Sequence, residues 1–456
     1  MGKKIIVIGG GPGGYTAAIR SAQLGGEVIL AETANLGGTC LNVGCIPTKA
    51  LLHTTGFYRR AKDNAMPGVI ISSAELDWPA AQSHKNDVVG RLSSGIGVLL
   101  RYNGVTVRGG IAVPLSGKSV RIGEETLEAD AVILATGSVN TPLAFPGAGL
   151  PGVIDSTEAL ALERVPESIV IAGGGVIGVE FATLFSSAGA KTTLIELTPR
   201  LLPSADAEIA EYIKASLESS GVAVHTGARL ASAEAAPEGL TVNFDEDGES
   251  WIVTAEKLLI AVGRQPNTVG LGLENINVTT ARGAIETDKN FLTTVPGIYA
   301  VGDCNGRSML AHAAMAQGMA AAEHIMGYTT VVNQKIIPAC VYSSPEIASC
   351  GLTEEQAAAM GINYSVGRFD LGGNAKSVIE GVGGFVKIIA GNELREILGV
   401  HIAGENATEL IAEAALCISM EGTVDDIVGT IHSHPTVSES IREAAMSVFG
   451  MPIHGI

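Results

Sequence analysis

Two segments of this chain read as the same strand–turn–helix unit, and few folds accommodate that unit twice. Residues 3–14 are KKIIVIGGGPGG and residues 167–178 are ESIVIAGGGVIG. In the first, the apolar run 5–8 enters a turn where Gly9, Gly11 and Gly14 fit G-x-G-x-x-G, and a helix is expected over 15–24. A second apolar strand, 28–31, ends at Glu32, 18 residues after Gly14. In the second unit Gly173, Gly175 and Gly178 keep the pattern and a helix is expected over 179–188. The strand 192–195 then ends at Glu196, again 18 residues after the third glycine. The first glycine makes a tight turn, the second admits a pyrophosphate close to the backbone, and the third lets helix pack on strand. The pyrophosphate lies at the positive end of the helix, and the acid accepts hydrogen bonds from a ribose diol. Two copies with the acid at one offset point to two dinucleotide sites and to electron transfer between two dinucleotides. A carboxylate at position 196 repels a 2′-phosphate, which favours NAD over NADP in the second site. Arg200 is expected either to soften that preference or to be a solvated surface charge.

With 456 residues the chain exceeds what one hydrophobic core organises, so two to four domains are expected. Its 58 glycines follow no Gly-X-Y period, which excludes collagen. Against 29 basic residues stand 47 acidic ones, and the net charge of −18 suits neither nucleic acid nor an anionic membrane. No apolar run reaches about 18 residues, so no transmembrane helix is expected. Residues 1–14 place two lysines before Ile-Ile-Val-Ile in the manner of a signal peptide, but glycines interrupt the run and fit a strand and turn better. Six cysteines are too few for a disulfide scaffold and imply a reducing, cytoplasmic setting.

Cys40 and Cys45 lie five residues apart in GGTCLNVGCIPTKALL. At that spacing Cα atoms of a regular helix are about 8–9 Å apart, and a disulfide needs less than about 7 Å. If the two bond, a regular helix cannot carry both. Gly44 and Pro47 are placed to distort the backbone, and 49–62 is free to be helical. No flanking Cys or His pair completes a zinc site. The pair reads as a redox dithiol, with two unlinked buried thiols as the alternative. Near the C terminus, residues 431–443 are IHSHPTVSESIRE. Pro435 suits the first turn of a helix, with Val437, Ile441, Ala444, Ala445 and Val448 along one face. His434 would stand near the N-cap with Glu439 leaning back toward it. A carboxylate there fixes the imidazole tautomer and raises its basicity. Taken alone, His432 and His434 fit a structural or metal-binding pair as readily as a general base.

The two fingerprints, Glu32 and CLNVGCIPTKALL resemble the pyridine nucleotide–disulfide oxidoreductases, over essentially the whole chain. Within that family the chain resembles the dihydrolipoamide dehydrogenases, the flavoproteins of 2-oxo acid dehydrogenase complexes. The resemblance implies an α/β fold: two Rossmann-like dinucleotide-binding domains plus a C-terminal α+β dimerisation domain. It implies a discontinuous FAD domain over 1–142 and 268–335, an inserted NAD domain over 143–267, and an interface domain over 336–456. FAD would take the first site and NAD the second, with a Cys40–Cys45 disulfide on the flavin face opposite the nicotinamide. Cys45 would be the thiolate beside the flavin and Cys40 the thiol that exchanges with substrate.

The same resemblance makes Lys49 and Glu180 an ion pair near the flavin, where a cation stabilises the reduced, anionic ring. It assigns Gly9, Gly11, Gly14, Glu32, Thr39, Gly109, Thr136, Gly137, Asp303 and the backbone at Ala311 to FAD. Gly173, Gly175, Gly178, Glu180, Glu196 and Gly263 go to NAD. Asp303 would hold the ribityl chain. Ala313 stands where the family usually has Lys, and Gln317 where it usually has Glu. Cys304, Cys340, Cys350 and Cys417 are expected to be small core residues. HPTxxE looks like the family's acid–base dyad, with His434 as base and Glu439 orienting it, reaching the disulfide of the other subunit of an obligate homodimer. The role of His432 is open. The expected partner is a lipoyl-bearing protein of a 2-oxo acid dehydrogenase complex or of the glycine cleavage system. The chain opens at the fingerprint strand, so the lipoyl group is expected from that partner. A glutathione-reductase-like enzyme is the nearest rival. Glu196 argues against its NADPH, and Thr48 stands where that branch usually carries a second Lys. VFGMPIHGI lacks the C-terminal cysteine pair of mercuric reductases, and single-cysteine oxidases and transhydrogenases lack the pair present here. A non-catalytic subunit would need a broken redox pair, dyad or nucleotide site, and none is broken.

Overall fold

The apolar runs that open each fingerprint become the central strands of two parallel sheets. The computed structural model describes residues 2–63, 66–116 and 118–455; residues 1, 64, 65, 117 and 456, among them both ends of the expected outer domains, lie outside the described residues. The first sheet runs in the order Ile298–Ala300, Ala131–Leu134, Lys4–Ile8, Glu27–Glu32, Thr106–Gly109. The second runs Ala223–Thr226, Lys191–Glu196, Ser168–Ala172, Lys257–Ile260, Val153–Ile154. Ile5, Ile6 and Val7, like Val170 and Ile171, have no exposed surface, which is why these strands are continuous apolar runs rather than alternating ones. The second sheet draws all its strands from within the first, since Ile298–Ala300 returns to the first sheet after it. The chain crosses between them where Ser138–Asn140 pairs antiparallel with Arg264–Pro266.

The fingerprint helices are Pro12–Gln23 and Val176–Ala188, each starting three residues before its expected onset. The third glycine is therefore inside the first turn, where backbone crowds it. A Cβ on Gly14 would stand 1.8 Å from the Gly9 carbonyl oxygen, and one on Gly178 would stand 1.7 Å from that of Gly173. Gly9 and Gly173 have φ of +103° and +114°, the left-handed region open to glycine.

A third, antiparallel sheet runs Ala339–Val341, Ile347–Gly351, Ile397–Ala403, Phe385–Gly391, Tyr364–Asp370. One face packs Val386, Ile388, Val400 and Ile402 against Ile411, Ile441 and Ala444 of the C-terminal helices. Its opposite side adds Ile347 and Phe385 to a core shared with Leu51, Phe181 and Phe185. The three units thus meet around the helix that follows the cysteine pair. The second and third are also tied by charge: Lys387 is buried, with its ammonium 2.9 Å from Asp206, 2.7 Å from Glu354 and 3.5 Å from Glu208. Among the described residues no helix is long and apolar enough to cross a membrane.

Candidate active site

A cavity of about 1430 Å³ lies between the two fingerprint turns. Gly9, Gly11, Glu32, Thr39, Thr136, Gly137, Asp303 and Ala311 line it from the first unit, and Gly173, Gly175, Glu196 and Gly263 from the second. Cys40, Cys45, Lys49 and Glu180 stand between them. Gly14 and Gly178 lie behind their turns, in the packing role. Gly109 corrects the sequence reading. It is the exposed last residue of its strand, paired with Glu32, and the wall is built by Gly110, Ile111 and Ala112 beyond it. Gly110 has φ of +127°, so the chain turns into the cavity one residue later than expected.

The residues present fit two dinucleotides. Gly11 and Gly175 are the N-caps of the fingerprint helices, neither helix has a side-chain cap, and neither has an acid in its first turn. Beyond Pro12, which has no N–H, the first-turn donors Gly13 and Gly14, and Val176 and Ile177 in the second helix, are available to a pyrophosphate. Gly137 and Gly263 have positive φ, and a Cβ on either would meet no protein atom within 4 Å; both border the cavity, so their bare backbones admit a ligand closely. Each acid is locked to its own turn. Glu32 accepts from the N–H of Gly10 at 2.6 Å, and Glu196 from that of Gly174 at 2.5 Å. The second oxygen of Glu32 accepts from Thr33 and Ala34 N–H; that of Glu196 accepts from the Thr198 N–H and hydroxyl, both at 2.7 Å. Arg200 turns from this site to pair with Glu355, with Pro203 and Ala205 carbonyls at 3.3 Å.

Cys40 lies on the short helix Gly38–Val43, and Cys45 opens the helix Cys45–Lys62. The break falls at Gly44, where a Cβ would sit 2.9 Å from the Thr39 carbonyl oxygen. Cys40 and Cys45 both line the cavity and are unlinked here. The neighbouring Cys40 thiol first, and the Lys49 ammonium as well, outweigh burial and lower the Cys45 thiol to about 7. The Cys45 sulfur and burial push the Cys40 thiol up. Lys49, one turn after Cys45, sits 2.7 Å from both oxygens of buried Glu180. The sequence reading missed Tyr342. Its N–H donates to Glu180 at 3.1 Å and its ring lies 4.7 Å from the Lys49 ammonium. A single tyrosine outside any motif carries no signal of this. Cys304 and Cys350 are core residues as expected. Cys340 and Cys417 are only partly buried, and Cys340, on an edge strand, borders the cavity beside Tyr342. Burial pushes the Cys340 thiol up to about 11, away from thiolate chemistry.

His434 Nδ1 lies 3.0 and 3.2 Å from the Glu439 oxygens. Burial opposes the Glu439 charge, but the Thr436 N–H and His434 hold its carboxyl below the usual range. The helix opens at Glu439, not Pro435. Thr436 and Ser438 bond each other, and Thr436 bonds the Ser433 carbonyl, so local side chains hold 433–438 as a turn. Val437, Ile441, Ala444, Ala445 and Val448 are all buried in one cluster, as their spacing predicts. The His432 ring meets Glu413 at 2.8 Å and the Thr430 carbonyl at 3.1 Å, and borders the same cavity as the dyad. Among the described residues no group of three or more His, Cys, Asp or Glu could hold a metal ion. The dyad does not border the large cavity. It lines a separate one of about 400 Å³ with Arg442 and His454.

Residues 3–318 match the pyridine nucleotide-disulphide oxidoreductases, and residues 337–445 match that family's dimerisation domain. The chain is similar to the dihydrolipoyl dehydrogenase of Bacillus subtilis (strain 168), 39% identical over 469 residues that span 99% of this chain and 98% of that one. Among solved structures it is similar to LpdA from Mycobacterium tuberculosis, with a TM-score of 0.88 at 28% identity over 97% of this chain and 99% of that one. It is similar too to the HOCl-induced flavoprotein disulfide reductase RclA from Escherichia coli, with a TM-score of 0.87 at 28% identity over 98% of this chain and 100% of that one. Two dinucleotide cradles flanking a polarised cysteine pair are what such a family requires, and the chain belongs to the pyridine nucleotide-disulphide oxidoreductases.

Proposed function

We propose that the chain is a homodimeric dihydrolipoamide dehydrogenase that oxidises a protein-bound dihydrolipoyl group with NAD⁺. The observation that carries this is the placement of Cys40 and Cys45 between two dinucleotide cradles in one cavity, with the Lys49–Glu180 ion pair beside them. Glu32, Asp303 and the first glycine turn would hold FAD, and Glu196 with the second would hold NAD. When bound, FAD supplies the two-electron link between the cysteine pair and NAD⁺. We read the FAD domain as 1–142 with 268–335, the NAD domain as 143–267, and the interface domain as 336–456. The location is read as cytoplasmic, and the lipoyl group as carried by a partner protein of a 2-oxo acid dehydrogenase complex or the glycine cleavage system.

The residues divide the work as follows. His434 is 71% exposed at its side chain and borders a different cavity from its own cysteine pair, so in this reading it serves Cys40 of the partner subunit. Its Nε2, the nitrogen not engaged by Glu439, takes the proton of one dihydrolipoyl thiol. That thiolate attacks Cys40 Sγ of the disulfide; a substrate–Cys40 bond forms, the Cys40–Cys45 bond breaks, and Cys45 leaves as thiolate. Lys49 favours that charge. The second substrate thiol then attacks the substrate sulfur of the mixed disulfide and passes its proton to the departing Cys40. The lipoyl disulfide is released, leaving a Cys40 thiol, a Cys45 thiolate and a proton on His434.

Anaerobic mixing of the yellow protein with dihydrolipoamide and NAD⁺ tests this: NADH is the expected product. Reduction by NADH of some other disulfide, with no reaction of dihydrolipoamide, would leave the family in place and remove the substrate. A mixed dimer of Cys45→Ser and His434→Gln subunits tests the shared site. One of its two sites is intact, so it should show about half the wild-type turnover where each parent shows almost none.

A further inference from the structure

Asp303 is the carboxylate that the proposed function sets against the flavin's ribityl chain, and its surroundings do more than support a turn. The Ser138 hydroxyl donates to Asp303 Oδ2 at 2.6 Å. The same hydroxyl accepts from Arg264 Nε at 2.8 Å. A serine hydroxyl has a single hydrogen, and a guanidinium can only donate, so the hydrogen of Ser138 has to point at Asp303. The Arg264 fork is anchored twice more, to the Ser138 carbonyl at 2.7 Å and to Asn140 Oδ1 at 2.5 Å. Asn140 in turn donates to Asp155, the cap of the helix Ser156–Leu160. Ser138 is buried, and Asp303 borders the cavity with no hydrogen bond to its other oxygen among the described residues.

The backbone under Asp303 has a separate support. Gln317 Oε1 accepts from the Gly302 N–H and from Asn305 Nδ2, both at 2.8 Å. The turn thus has its own support, and at Asp303 the serine hydroxyl bonds the side chain rather than the backbone.

We propose that Ser138 and Arg264 are positioning residues for Asp303, a one-way relay in which the guanidinium orients the hydroxyl and the hydroxyl fixes the carboxylate rotamer toward the flavin site. The relay crosses the ribbon where the chain passes between its two dinucleotide units, and Arg264 directly follows Gly263 at the nicotinamide side. This rests on the reading of Asp303 as a flavin contact, and the test separates the two.

The holoenzymes of Ser138→Ala, Ser138→Thr, Arg264→Lys and Asp303→Asn are compared for FAD dissociation, followed by flavin fluorescence, and for the visible circular dichroism of bound flavin. Ser138→Ala and Arg264→Lys should each weaken FAD about tenfold, the worth of one charged hydrogen bond. Ser138→Thr keeps the hydroxyl and should restore most of that loss. The double variant Ser138→Ala/Asp303→Ala, which has no acceptor left for the hydroxyl, should be no worse for FAD binding than Asp303→Ala alone, because the serine affects FAD only through the aspartate. Full additivity in the double variant overturns the relay. So does unchanged FAD binding and dichroism in Ser138→Ala and Arg264→Lys while Asp303→Asn changes both. If Asp303→Asn itself changes neither, the Asp303 reading falls and the relay falls with it.

Discussion

After Glu32 the chain enters the two helices that carry Cys40 and Cys45; after Glu196 it enters Thr198, which caps the acid, and Arg200, which leaves for Glu355. Up to those acids the two units are alike. Both have a left-handed first glycine, a third glycine pressed against the first, and a carboxylate bonded to the turn's middle N–H. Past them, one unit reaches into the cavity with a polarised thiol pair and the other closes over itself. The glycine turn and its acid make a cradle. What chemistry a cradle serves is decided by the segment that follows, and here only the first segment holds a group that can gain or lose electrons.

The largest effect expected from that contrast comes from the dithiol segment. Cys45→Ser should abolish disulfide turnover while leaving both cradles intact, so the variant should still pass electrons from NADH to an artificial acceptor. Loss of both activities would show that the segment also builds the cradle. Next come the two third glycines, which should fail separately. Gly14→Ala and Gly178→Ala each press a methyl into a carbonyl, at a cost of about 1–3 kcal/mol. The first should purify with little flavin; the second should keep flavin and lose NADH reactivity. Equal flavin loss in both would mean that the units fold as one and the contrast is only formal.

How far these units could be read in advance depends on the distance over which each signal acts. The glycine turns, their acids and the break at Gly44 rest on backbone geometry within a few residues, and local sequence states it. Ser138 and Arg264 are 126 residues apart and meet only because the chain crosses twice at one ribbon. Tyr342 reaches Glu180 from the third sheet in the same way. Pro435 misled because it suits a helix start, while neighbouring Ser and Thr side chains hold a turn that no single-residue preference describes. Gly109 misled by one position, since a strand end is set by its partner strand.

A smaller effect is expected at the second acid. In the proposed NAD site Glu196 is the ribose acceptor and the charge opposing a 2′-phosphate, and Glu196→Ala should shift the NADP⁺-to-NAD⁺ ratio of kcat/KM by about tenfold. No shift would place cofactor choice elsewhere in the second unit. The finest test is of pH. The Cys45 thiol is lowered to about 7, so thiolate forms as pH rises through that value. Alkylation of the reduced protein by iodoacetamide should rise with a midpoint near 7. In Lys49→Met, which lacks the nearby cation, the midpoint should move up. An unmoved midpoint would assign the lowering to Cys40 alone.

The carboxylates bonded to their own turns have one more consequence. A side chain already held at both oxygens has surrendered its rotamer freedom during folding, so that entropy is not lost again when a nucleotide arrives. Both acids stand as fixed walls in the free protein. An NAD⁺ seated on the second turn, as proposed, would therefore meet an acid that is already ordered, and its binding would carry no further cost for fixing that side chain.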